Sequence, residues 1–144
     1  MATSSKRKEA RARRVWRLMF DFLISTGPRR TEVLGQFGLT PNDSRALSSL
    51  RQEEGRTMRS LADEWRCDAS NATWIVDRLE RAGFAVRRDQ PNDRRVKLVL
   101  LTPKGARLKA ELTEAFYAPP AELLTLDIAD LTALEELLKR LPHK

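Results

Sequence analysis

The sequence predicts a mainly α fold carrying a small two- to three-stranded β element, and three observations predict it. Apolar residues recur at helical spacing along most of the chain. The period drops to two only after Gly83, and helix-start signals of the Thr-Pro or Asp type recur between the apolar stripes. A length of 144 residues suits one domain, spanning 1–144, with enough chain to bury a core without covalent staples.

Val15, Leu18, Met19, Phe22 and Leu23 set out a first helix over residues 6–26, which Gly27-Pro28 stops. Thr31 to Phe37 reads as a short helix ended by Gly38. Thr40 then caps a helix with Pro41 at its first position and Asp43 in its positively polarised first turn; Ala46, Leu47 and Leu50 face inward. Thr57 caps the next, with Leu61, Ala62 and Trp65 on its apolar side. Asp68 caps another, whose stripe is Ala72, Ile75, Val76 and Leu79 and which ends at Ala82-Gly83.

Phe84 to Arg88 and Val96 to Leu101 read as two strands, joined by the turn-forming cluster Asp89-Gln90-Pro91-Asn92-Asp93. Thr102-Pro103 opens a further helix, stopped by Pro119-Pro120. Asp127 caps the last, with Ile128, Leu131, Leu134, Leu138 and Leu141 as its stripe. Glu135 with Lys139 and Glu136 with Arg140 are spaced to pair on its wet face.

Composition removes several classes of function. One Cys (Cys67) and one His (His143) supply neither a disulfide framework nor a zinc cage, and His143 at the chain end makes a Cys–His dyad unexpected. The longest apolar stretch, Val15 to Ile24, is broken by Arg17 and Asp21 and falls short of a membrane span, so no membrane role is expected. No glycine-rich phosphate loop, nucleophile elbow or metal-spaced cluster is present, so neither an enzyme nor a cofactor is expected.

The charge is uneven. Residues 1–17 carry seven basic groups and one acid, residues 78–97 seven and three, and residues 111–144 three and seven, within a net charge of +7. Two cationic segments beside an acidic one suggest a polyanion partner.

Two short helices joined at Arg66-Cys67-Asp68, followed by a hairpin, is the order of a winged helix-turn-helix, here over residues 31–101. The second helix would offer Ser70, Asn71, Thr73, Trp74 and Arg78 to a major groove, where Asn reads adenine and small hydroxyls reach base edges or phosphates. Ser70 and Asn71 also suit a purely capping role. Trp74 either contacts DNA or tucks against the preceding helix. The hairpin, with Arg87, Arg88, Arg94, Arg95 and Lys97, suits the phosphates and a narrow minor groove. Asp93 fits among these cations by holding an arginine fork in place. Cys67, just before the second helix, suits a small buried filler better than a thiol sensor.

The stripes of the first and last helices exceed what a small winged domain needs to cover. Two-fold symmetry would let Val15, Leu18, Met19 and Phe22 cover Leu131, Leu134, Leu138 and Leu141, making 6–26 and 103–142 dimerisation helices. The alternative is that both helices fold back on their own domain.

From Leu61 to Gly105 the chain resembles the MarR family (multiple antibiotic resistance regulators) of bacterial transcription factors. The resemblance rests on Leu61-Ala62, on Ser70-Asn71-Ala72-Thr73 with Ile75-Val76-Asp77-Arg78-Leu79-Glu80, and on Gly83. It continues through the wing signature Asp93-Arg94-Arg95 and Leu101-Thr102-Pro103-Lys104-Gly105, with Leu39-Thr40-Pro41 upstream. The resemblance implies a cytoplasmic, nucleoid-associated homodimer whose two winged helices read a pseudo-palindromic double-stranded operator. It implies a repressor released by a small aromatic or lipophilic effector, with Asp93 and Arg95 as the wing pair. Trp74 departs from the basic or small residue many members carry there. A winged helix serving RNA or a protein partner, without ligand control, is the alternative.

Overall fold

The computed structural model describes residues 2–142, with side chains from residue 4; His143 lies outside them. Among the described residues, seven helices and three strands follow in order: α1 (Ala2–Ser25), α2 (Gly27–Gln36), α3 (Pro41–Ser49), β1 (Arg56–Thr57), α4 (Met58–Trp65), α5 (Ala69–Arg81), β2 (Ala85–Gln90), β3 (Asp93–Leu101), α6 (Pro103–Tyr117) and α7 (Ile128–Lys139), with a 3-10 turn at Leu123–Thr125 before α7. The strands form one antiparallel sheet in the order β1-β3-β2. The predicted class, mainly helical with a winged helix-turn-helix, is the observed one.

The capping signals place the central helices. Thr40 and Asp43 form a reciprocal box at the start of α3, and the Thr57, Asp68, Thr102 and Asp127 side chains each accept a first-turn backbone N–H. One boundary differs from expectation. Gly27-Pro28 ends α1 but begins α2 at once, four residues before Thr31, because a proline in the first turn has no N–H to lose.

The core lies wholly in the middle of the chain. Leu47, Leu50, Leu61, Ile75, Val76, Leu79 and Val99 are fully buried, joined by Val33 and Leu34 of α2 and Leu112 of α6. Leu112 and Gly105 thus tie the first half of the 103–142 segment into the winged domain. Cys67 packs partly buried against this core, as a filler would. In α1, by contrast, only Met19 and Phe22 among the described side chains are even partly buried, and α7 buries none.

Polar contacts lock the middle elements together. The Ser49 hydroxyl accepts from the Trp65 indole at 3.0 Å and donates to Glu64 at 2.9 Å, while Arg56 reaches Glu64 at 2.6 Å. The Arg56 and Ser49 bonds hold the Glu64 carboxyl below the usual carboxylate range. Lys109 of α6 donates to the carbonyls of Ser48 and Leu50, closing the end of α3, and its burial pushes the ammonium below the usual lysine range. On α7, Glu135 pairs with Lys139 as expected. Glu136 also pairs with Lys139 rather than with Arg140, which forms the helix cap.

Candidate nucleic-acid interface

Asp68, not Ser70 or Asn71, caps α5: its carboxylate accepts the Asn71 backbone N–H at 2.7 Å. Among the described residues the side chains of Ser70, Asn71 and Thr73 make no hydrogen bond, and all three are exposed. The inward stripe Ala72, Ile75, Val76 and Leu79 is fully buried, so it fixes which face of α5 is left for a ligand. The result is a row of unsatisfied polar groups over the first two turns of a rigidly seated helix.

Trp74 lies on that face, half exposed. The Arg78 guanidinium sits over its ring at 4.9 Å from the centroid, and Arg78 also pairs with Asp43 of α3 at 2.8 Å. Arg78 is therefore engaged inside the fold. Arg87 is engaged too, bonded to both Asp77 (2.8 Å) and Glu80 of α5. Its position on β2 braces the wing against α5, so the two elements present one surface.

The wing is longer and its tip tighter than the sequence suggests. Asp89, Gln90 and Asp93, expected in the turn, are strand residues, leaving Pro91-Asn92 as the turn. Two features compensate for their poor strand propensity. Asp89 pairs with Lys97 directly across the ladder, and the partner then shifts from Lys97 to Asp93 between Asp89 and Gln90. That irregularity leaves Arg94, Arg95 and Val96 without opposite numbers on β2, and such bulges re-aim side chains.

Arg95 is 95% exposed, and Asp93 reaches both its backbone N–H (3.0 Å) and its guanidinium (3.5 Å). Arg88 and Arg94 are exposed, with no ion pair among the described residues.

The Leu101-Thr102-Pro103-Lys104-Gly105 signature is mechanical. The Thr102 hydroxyl donates to the Gly83 carbonyl at 2.6 Å and accepts from the Gly105 N–H, while its own N–H donates to the Phe84 carbonyl. Lys104 adds a bond to the Ala82 carbonyl. The foot of the wing is thereby clamped to the end of α5.

One candidate had no sequence signal. Arg66, at the left-handed cap between α4 and α5 (φ 51°), is the only non-glycine described residue with positive φ. Such a cap favours Gly or Asn, so an exposed arginine there, with no ion pair among the described residues, adds a cation at the turn of the motif.

Among the described residues, no group of acids, His and Cys is arranged to hold a metal, and no helix is long and apolar enough to cross a membrane.

Comparison with known proteins agrees with this geometry. The MarR family model matches residues 39–97. The transcriptional regulator MhqR of Bacillus subtilis is 27% identical over 104 residues, 72% of each chain. The chain spans about half the length of two further B. subtilis regulators it matches. The apo structure of MarR from E. coli is 29% identical and superposes with a TM-score of 0.64, covering 88% of this chain and 96% of that one. An S. aureus MepR mutant bound to an oligodeoxyribonucleotide shares the fold at 20% identity and a TM-score of 0.72, covering 87% and 94%. The matched segment, the regulator aligned along most of both chains and the fold shared with MarR itself agree: residues 39–97 match the MarR family model, and the chain is similar to MarR in fold and along most of its length.

Proposed function

We propose that the chain is a sequence-specific, double-stranded DNA-binding transcriptional regulator that acts as a homodimer on a pseudo-palindromic operator. The observation that carries this is the unsatisfied polar row Ser70, Asn71 and Thr73 on the exposed start of α5, braced by Arg87 to a wing whose Arg88, Arg94 and Arg95 face solvent. In this reading α5 reads base edges while the wing and the cations of α1 (Lys6, Arg7, Lys8, Arg11, Arg13, Arg14) hold phosphates. Lys97, neutralised by Asp89, contributes less than its charge suggests. A fold neighbour, the S. aureus MepR mutant, was solved bound to an oligodeoxyribonucleotide, which supports DNA as the partner.

The dimer reading rests on where uncovered apolar surface lies. Val15, Trp16, Leu18, Phe20, Leu23 and Ile24 of α1 are exposed, as are Ile128, Leu134 and Leu137 of α7 and Leu141 beyond it. Met19, Phe22 and Leu131 are partly buried. A second copy is the occupant that suits these faces, because it brings an acidic C-terminal segment to a basic N-terminal helix. A cleft of about 420 Å³ between the α1–α2 corner and α6, where Arg30 stacks on Phe116, is the proposed seat of an aromatic or lipophilic effector that relieves repression.

The wing tests the reading. With a duplex selected from a random pool, Arg95→Ala is expected to weaken binding by about 1–3 kcal/mol. Asp93→Ala is expected to weaken it as well, although loss of a negative charge by itself favours DNA. Tighter binding by the Asp93 variant would show that the carboxylate repels DNA instead of orienting Arg95. A preference for structured RNA over duplex in competition would remove the DNA reading.

A further inference from the structure

Trp74 is neither a polar group for base edges nor a cation for phosphates. It is the one large apolar side chain exposed between Ile24 and Tyr117 among the described residues; the rest of the uncovered apolar surface belongs to the terminal elements that a second copy would cover. A half-exposed indole on the face offered to a partner leaves apolar surface in water in the free protein. Its N–H has no acceptor among the described residues.

The ring is nevertheless held in place by a chain of contacts. The Thr40 N–H and hydroxyl both bond the same Asp43 oxygen, at 2.8 Å each, within the capping box of α3. That oxygen also takes Arg78 at 2.8 Å, and Asp43 is 2% exposed, so the carboxylate has nowhere else to go. Its second oxygen is buried without a partner. Leaving a carboxylate oxygen so placed is a cost that a purely structural cap, like those of Asp68 and Asp127, does not incur. Arg78, pinned at its far end, lays its guanidinium over the Trp74 ring one turn back along α5. Each link removes rotamer freedom from the next, and the last is an aromatic side chain on the reading face.

We propose that Trp74 reads a thymine methyl group in each half-site, and that Arg78 and Asp43 are positioning residues that hold its ring rather than DNA contacts. The major groove offers one apolar feature on its base edges, the C5-methyl of thymine, and an indole fixed beforehand meets it without paying the cost of ordering a free side chain. The assignment rests on the duplex-DNA reading above.

The test uses the full-length protein and a duplex selected from a random pool, with each thymine replaced in turn by deoxyuridine, which lacks only the methyl. The wild type is expected to prefer thymine by roughly three- to fivefold at one position per half-site, the worth of one buried methyl. Trp74→Ala is expected to bring that ratio to one.

Asp43→Asn loosens the cap and risks the fold, so Arg78→Lys is the informative partner. It keeps a cation for Asp43 but loses the flat stack, and it is expected to lower the thymine preference while leaving the salt dependence of binding unchanged. A general loss of stability weakens both duplexes alike and does not move the ratio. Indifference of the wild type to every deoxyuridine, or a Trp74→Ala protein that still prefers thymine, overturns the reading of the methyl. An Arg78→Lys protein with an unchanged thymine preference, or one that loses discrimination at a guanine instead, overturns the positioning role. If the wild type binds no duplex at all, the DNA reading fails first and is seen to fail separately.

Discussion

Cut after Ala121, the chain is expected to run as a monomer or to fall out of solution, and any soluble fraction to bind its duplex on the order of 10²–10⁴-fold more weakly. The loss comes from two sources. In the proposed dimer α7 covers the exposed stripe of α1, and a monomer would engage one half-site where that dimer engages two at high effective concentration. Because truncation can simply unfold a protein, Leu134→Glu with Leu141→Glu is the companion variant. Both positions are exposed in the single chain, so the winged domain, whose core draws nothing from α7, stays folded while association fails. Sedimentation or light scattering reads the outcome. A stable, folded dimer after either change would mean that the terminal helices are not the interface.

Gly105→Ala is expected to be the most damaging single methyl addition in the chain. A Cβ there would sit 2.0 Å from the Phe84 carbonyl oxygen and 2.8 Å from its carbon. Those are backbone atoms at the foot of the wing, held by the Thr102 N–H, so no side chain can swing away to make room. Overpacking of this kind costs on the order of 3 kcal/mol. The added methyl also pushes apart α6 and the wing that Thr102 clamps. Thermal or denaturant melts measure the loss, and DNA binding falls with it because the wing moves. A variant as stable as the wild type would show that the close approach is not required. The neighbouring Thr102→Ala, which removes two hydrogen bonds but adds no atoms, is expected to cost less.

Much of the fold was readable because its signals are local. Thr40, Thr57, Asp68, Thr102 and Asp127 each cap a helix through groups three residues away, and the stripe Ala72, Ile75, Val76 and Leu79 is one face of one helix. The errors arise where distant residues decide. Asp89 and Gln90 look like turn residues until Lys97 faces Asp89 across the ladder. Gly27-Pro28 reads as a stop because the sequence does not show that a new helix begins on the spot. Strand β1 is two residues long and exists only because Arg56 and Thr57 meet Val99 and Leu98.

The same holds at the site. Nothing in the sequence pairs Arg78 with Asp43, which lies 35 residues away, and Asp77 and Glu80 reach Arg87 only through the fold. Arg66 carried no signal, since nothing in its neighbours marks a left-handed cap.

In the proposed function α5 reads sequence while cations on the wing and α1 anchor the phosphates. One titration separates these roles: the protein against its selected duplex and a scrambled duplex, at several salt concentrations, for wild type and Asn71→Ala. Two wings, two recognition helices and two basic N-terminal helices are expected to neutralise roughly 6–10 phosphates, giving a log–log salt slope of about −5 to −9 on both duplexes. Asn71→Ala is expected to keep that slope while losing most of the preference for the selected duplex. A preference that survives the Asn71 change intact, or binding that ignores salt, would contradict the account.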